Sequence, residues 1–219
     1  MRPVLLLAAA VPCLARASPV TYSLEPGQTE LVAITHPAGF LGGMAHSHLI
    51  AARDPAGTVV YDADAPERSR VEVRLSSAKL DDDDPALRKK YGLEGTLDEG
   101  DRRKVGETMR SGSQLDVAKH PDITFVSRSV RAKGDGSLEV SGVLAIHGVE
   151  APVTLPVKVS TEGEVLRGEG QVHITHRMFG IHPYSTGMGA VRNADGIELR
   201  VTLVGRAGKA GGTASGDSP

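Results

Sequence analysis

Alternation of apolar and polar residues dominates the chain from Thr21 onward, which is the period of a strand with one buried face. Val71, Val73 and Leu75 share a face against Glu72, Arg74 and Ser76. Leu138, Val140, Leu144 and Ile146 oppose Glu139, Ser141 and His147. Val153, Leu155, Val157 and Val159 face away from Thr154, Lys158 and Ser160, and Ile197, Leu199, Val201 and Leu203 from Glu198, Arg200 and Thr202. Further strands are predicted over 29–35, 46–53, 57–62, 122–130 and 165–175. Asp54-Pro55-Ala56-Gly57, Gly134-Asp135-Gly136, Glu162-Gly163 and Asp195-Gly196 read as hairpin loops between these runs. Strands with one apolar face joined by short turns predict an all-β antiparallel barrel or sandwich.

The segment 81–112 departs from this pattern. Asp84-Pro85 supplies a cap and a first-turn proline for a short helix. A second helix is predicted from Asp98 to Ser111, with Val105, Met109 and Arg102 toward its inner side. The run Asp81–Asp84 lacks the alternating ligands and closing glutamate of a calcium loop, so it reads as a solvated loop leading into the cap.

The ends are different in kind. Met1–Arg2 is basic, Val4 to Leu14 is apolar, and Ala15-Arg16-Ala17 has a small-x-small pattern. Residues 1–17 therefore read as a signal peptide, too short to span a bilayer. Cys13, the only cysteine, lies within it, so the remaining chain has no disulfide framework. Residues 207–219, rich in Gly, Ala, Ser and Thr, read as a disordered tail. The folded domain is then 18–206, in a periplasmic or secreted protein with no membrane-spanning segment.

Composition narrows the function. With 25 Lys+Arg against 27 Asp+Glu there is no basic excess to track phosphates, and three Phe, four Tyr and no Trp make a poor base-stacking platform. A nucleic-acid partner is not expected. No Gly-x-Ser-x-Gly elbow or His-Glu-x-x-His pair is present, and an enzyme is not expected. The interior of a barrel of about eight strands, lined with Val, Leu and Ile, either packs solid or holds one apolar chain, and composition leaves both open. Imidazole ligates zinc, copper or nickel, so His46, His48, His173 and His176 are candidate metal ligands. Were His46 and His48 to face the barrel mouth, they would suit a quinone or phosphate head group instead.

Two stretches carry a family resemblance. Ser113 to Ser127 contains Pro121-Asp122-Ile123-Thr124-Phe125-Val126-Ser127, and Val140 to Pro156 contains Gly142-Val143-Leu144 through His147-Gly148 and then Pro152-Val153. With Phe179-Gly180-Ile181-His182-Pro183 and Asp195-Gly196, they resemble the YceI-like family. The resemblance is good over 110–204 and looser over 21–80. It implies an exported, lipocalin-like antiparallel β-barrel, to which the residues of 81–112 add one or two short helices as an insertion. It also implies a non-catalytic lipid-binding role, an isoprenoid or quinone chain held in an apolar pocket. On this reading the pocket is formed near Phe125, Leu144, Ile146, Val172, Ile174 and Phe179. The alternative is a periplasmic protein that binds metal through the four histidines above.

Overall fold

A computed structural model describes residues 18–93, 95 and 97–208. The expected signal peptide and tail residues 209–219 lie outside the described residues. The predicted alternation becomes a closed antiparallel barrel with eight positions around its wall. Three positions are each filled by two strands placed end to end. β1 (Val20–Leu24) and β2 (Glu30–Ala38) both pair with one edge of β12 (Val191–Ala207). Tyr22 lies opposite Ala207 and Leu24 opposite Gly205, and further along Glu30 lies opposite Thr202. β3 (His48–Ala52) pairs with β2, and β4 (Ala56–Tyr61) with β1. β5 (Arg70–Ser76) then pairs with β4, and β6 (Leu80–Asp82) with β3. β7 (Asp122–Ala132), β8 (Leu138–Ile146), β9 (Val149–Glu162) and β10 (Val165–Thr175) follow in order around the wall, and β12 on β10 closes it. A short strand β11 (Ser185–Thr186) pairs with the start of β12.

This topology corrects two expected hairpins. Asp54-Pro55-Ala56-Gly57 joins β3 to β4, which pair with different strands, so it is a break within one wall position. Pro55 brings no N–H to a ladder, and Asp54 has a φ of +52°, so the chain bends here without folding back. Asp195-Gly196 lies inside β12, where the register with β2 skips between Asn193 and Ile197. The extra residues form a bulge whose Asp195 carbonyl accepts from His176 Nδ1 at 2.9 Å. The turns at Gly134–Gly136 and Glu162–Gly163 are hairpins, the first closed by Lys133 N–H to the Ser137 carbonyl at 2.8 Å. β12 runs through Ala207, one residue into the stretch expected to be tail.

The insertion between β6 and β7 folds as two helices. α1 (Pro85–Lys90) starts where Asp84 accepts the Ala86 and Leu87 N–H groups. It packs outside the barrel, which explains why β2 and β3 are apolar on both faces. Val32, Ile34, Leu49 and Ala51 point outward and are buried under Leu87, Tyr91 and Leu93. α2 (Glu99–Arg110), capped by Asp98, turns Val105 and Met109 toward the barrel interior. Arg110 donates to Asp82 Oδ2 at 2.9 Å and Arg102 to the Asp82 carbonyl at 3.0 Å, which ties α2 to β6. A Cβ at Gly106 would collide with Asp82 Oδ2 and Arg110 Nη1, so glycine sets this close approach.

The reading of Asp81–Asp84 as a solvated loop is corrected at Asp83. Its carboxylate is fully buried and accepts from His48 Nδ1 at 2.7 Å, Leu49 N–H at 2.8 Å and Arg88 Nη1 at 2.6 Å. A buried carboxylate is tolerable because every bond it accepts comes from a fixed donor.

Candidate ligand cavity

The inward faces enclose a cavity of about 450 Å³, within the range of small-molecule sites. Val71, Val73 and Leu75 line it, as do Leu138 and Val140, Val153 to Val159 at alternate positions, and Leu199, Val201 and Leu203. Phe125, Leu144, Ile146, Val172, Ile174 and Phe179, the six residues singled out from the sequence, all line it too. Leu144, Ile174 and Phe179 are buried in a cluster with Ala151, Val153 and Ile181. Phe125, Ile146 and Val172 pack against that cluster while keeping part of their surface on the cavity. At the end away from the helices, Tyr22, Leu24, Val59 and Leu166 form a second cluster.

Part of the lining lies beyond the six residues singled out from the sequence. Leu31, Ala33, Thr35 and Ile50 complete the wall on β2 and β3 beside His48, which the sequence had already singled out, and Thr108, Leu115 and Tyr184 add to it at the helix end. The signal was present as alternation along 31–35, but it was hidden by the outward apolar residues that α1 covers.

Polar groups gather at the helix end. His48 lies opposite Thr35, Thr35 opposite Ile197, and Ile197 opposite Ile174, a row across four strands that all face inward. Thr35 is 8% exposed, and among the described residues its Oγ1 has no hydrogen-bond partner. A buried hydroxyl without a partner costs about 1–3 kcal/mol, so this position suits the polar end of a bound molecule. His48, its cross-strand neighbour, and His176 also line the cavity, each with Nδ1 engaged, by Asp83 and by the Asp195 carbonyl. Where Nδ1 carries the proton, Nε2 is left as an acceptor.

The structure separates the four candidate metal ligands. His48 and His176 line the cavity, whereas His46 is exposed ahead of β3, and His173 is exposed on the outer face opposite Glu198. Among the described residues, the one trio of His and acidic side chains with converging donor atoms lies elsewhere, at Asp116, His120 and His147.

Two neighbouring carboxylates at the helix end are shifted in opposite directions. Burial raises the Asp83 carboxyl, but the bonds from His48, Leu49 and Arg88 outweigh it and hold the group below the ordinary carboxylate value. Burial likewise raises Asp82, and here Arg110 offsets it only in part, leaving the carboxyl above its ordinary value. Arg88, itself buried, also donates to the carbonyls of Ser47 at 2.6 Å and Gly95 at 3.2 Å. One aspartate thereby fixes α1, the approach to β3 and the His48 ring together.

Comparison with known proteins agrees with this architecture. A family model described as YceI-like domain matches residues 22–204. A UPF0312 protein of Azotobacter vinelandii is 33% identical over 112 residues, which is 51% of this chain and 49% of that protein. Protein YceI of Salmonella arizonae is 32% identical over 112 residues, with the same coverage of both chains. The aligned region thus spans about half the length of the curated relatives it matches. Among solved structures, Burkholderia cenocepacia BcnA superposes with a TM-score of 0.64 at 18% identity, covering 83% of this chain and 98% of that one. A polyisoprenoid binding domain from Saccharophagus degradans, implicated in plant cell wall breakdown, superposes with a TM-score of 0.55 at 10% identity, covering 86% and 99%. At these identities the superpositions speak for the fold.

Proposed function

The chain belongs to the YceI-like domain family, and on that premise we propose that it is a non-catalytic carrier of an isoprenoid or similar apolar chain. The observation that carries this reading is the continuous aliphatic lining of the cavity, with a Thr35 hydroxyl at one end that has no partner among the described residues. Each five-carbon unit moved from water into such a lining contributes about 4 kcal/mol, at about 0.8 kcal/mol per carbon group. A few units outweigh the cost of immobilising the ligand. The polar end of the ligand, a hydroxyl, quinone oxygen or phosphate, sits beside Thr35, His48 and His176. The six residues Phe125, Leu144, Ile146, Val172, Ile174 and Phe179 hold the chain next to it. The polyisoprenoid named for the Saccharophagus degradans domain supports this ligand class.

The same reading places the protein outside the cytoplasm, because the first 17 residues have the layout of an export signal. No helix among the described residues is long and apolar enough to cross a membrane.

Titration of the delipidated protein with a fluorescent polyprenyl alcohol tests the proposal. Saturable uptake near one per chain, displaced by unlabelled polyprenol, is expected. Absence of uptake by a folded, delipidated barrel contradicts it.

A further inference from the structure

We infer that Asp116, His120 and His147 bind a divalent transition cation of the zinc type. Their donor atoms all lie within 4.8 Å of one another, close enough for small side-chain rotations to bring each to the 2.0–2.2 Å of a zinc bond. All three side chains are half-buried. The site stands on its own geometry and does not depend on the lipid reading.

Two separate segments build it. Asp116 and His120 belong to the connection from α2 to β7, where the His120 N–H donates to the Asp116 carbonyl at 2.9 Å and sets both side chains on one turn. His147 occupies the tight turn from β8 to β9 with a φ of +54°. Its neighbour Gly148 leaves room for the His120 ring, since a Cβ there would come within 2.5 Å of His120 Cε1. The two imidazoles meet edge to face, 4.9 Å between centroids and 76° between planes. His147 Nδ1 lies 3.4 Å from the Phe179 carbonyl, the outer contact that commonly orients a ligating histidine and leaves Nε2 for the metal.

The donor set decides the class of ion. Two nitrogens and one carboxylate oxygen suit zinc, nickel or copper, and supply too few oxygens for calcium or magnesium. Three protein ligands leave a fourth position for water. Lys119 Nζ ion-pairs with Asp116 Oδ2 at 2.8 Å, but its side chain is exposed, so it competes with the cation for this carboxylate and is displaced into solvent. Leu115 and Ile146, each next to a ligand in sequence, both line the cavity. A bound ion would therefore pin the α2–β7 connection to the β8–β9 turn and stiffen this part of the cavity wall.

The test is calorimetric titration of the untagged full-length chain, stripped with chelator, using Zn²⁺ alone. One Zn²⁺ per chain is expected, with a rise in Tm that EDTA reverses. Asp116→Asn and His147→Asn, the latter because asparagine accepts the left-handed backbone, should each weaken binding at least tenfold while the circular dichroism stays unchanged. Lys119→Met, which removes the competing ammonium, should tighten it severalfold. His173→Gln, on the outer wall, should leave it unchanged. No Zn²⁺ uptake by the folded wild-type chain, or uptake unaltered in both Asp116→Asn and His147→Asn, overturns the assignment.

Discussion

His48 at the start of β3 and Asp83 just ahead of α1 meet at 2.7 Å, and the Asp83 side chain has no exposed surface. The pair links the cavity lining to the helical insertion, because Asp83 also holds Leu49 N–H and Arg88. Removing this carboxylate takes the buried partner of two cationic or polar side chains away at once. Asp83→Ala is expected to lower stability by about 3 kcal/mol or more, the usual result of breaking one side of a buried ion pair. Urea unfolding followed by circular dichroism measures it.

The same carboxylate gives stability a pH dependence of known sign. Its native pKa lies below the ordinary 3.8. A group depressed in the native state adds stability above its unfolded pKa and loses that contribution as pH falls through the native value. The Asp83 contribution is therefore full above about pH 4 and fades below it. The difference in urea midpoint between wild type and Asp83→Asn should shrink as the pH is lowered through this window. A constant difference would show that Asp83 does not titrate there.

Thr35 separates stability from ligand recognition. Thr35→Val removes a buried hydroxyl that lacks a partner among the described residues. The empty protein is expected to gain about 1 kcal/mol from losing an unsatisfied group. Affinity for a polyprenyl alcohol should fall severalfold, while affinity for the matching plain hydrocarbon stays unchanged. Thermal unfolding and paired titrations read the two effects independently.

Filling the cavity should block it without unfolding the barrel. Val172→Phe and Ala33→Leu add bulk to two lining positions on different strands. Overpacking costs about 1–3 kcal/mol, and relief into empty space keeps the cost near the lower value. Lipid retained through native purification should drop at least tenfold in the double variant.

The approach of α2 to β6 depends on Gly106. Alanine is the better helix former by about 1 kcal/mol. Here its Cβ would displace the Asp82–Arg110 pair, so Gly106→Ala is expected to destabilise. Faster amide exchange confined to α2 and β6 would locate the effect.

Most of the wall was legible in the sequence because it rests on local alternation. Val71, Val73 and Leu75, or Ile197 to Leu203, need no distant partner to declare their inner face. The α1 cap was equally local, since Asp84 and Pro85 are adjacent. What escaped notice depends on residues far apart in the chain. Asp54–Gly57 has the residues of a hairpin turn, and only the pairing of β3 with β2 and of β4 with β1 makes it a bend. Asp83 looked solvated because His48 lies 35 residues away. His120 and His147 are 27 positions apart, with the hairpin of β7 and β8 between them, so no spacing rule joins them. The strand expected over 46–53 begins only at His48, which leaves His46 outside it.

On the proposed function, the barrel carries an apolar chain. Mass spectrometry of a gentle organic extract, made from protein purified natively from an exporting host, tests it most directly. The expected result is one isoprenoid or quinone species near one per protein in the wild type, and far less in the Val172→Phe and Ala33→Leu double variant. An extract with no apolar species, together with no uptake of added polyprenol by the same folded protein, would contradict the claim.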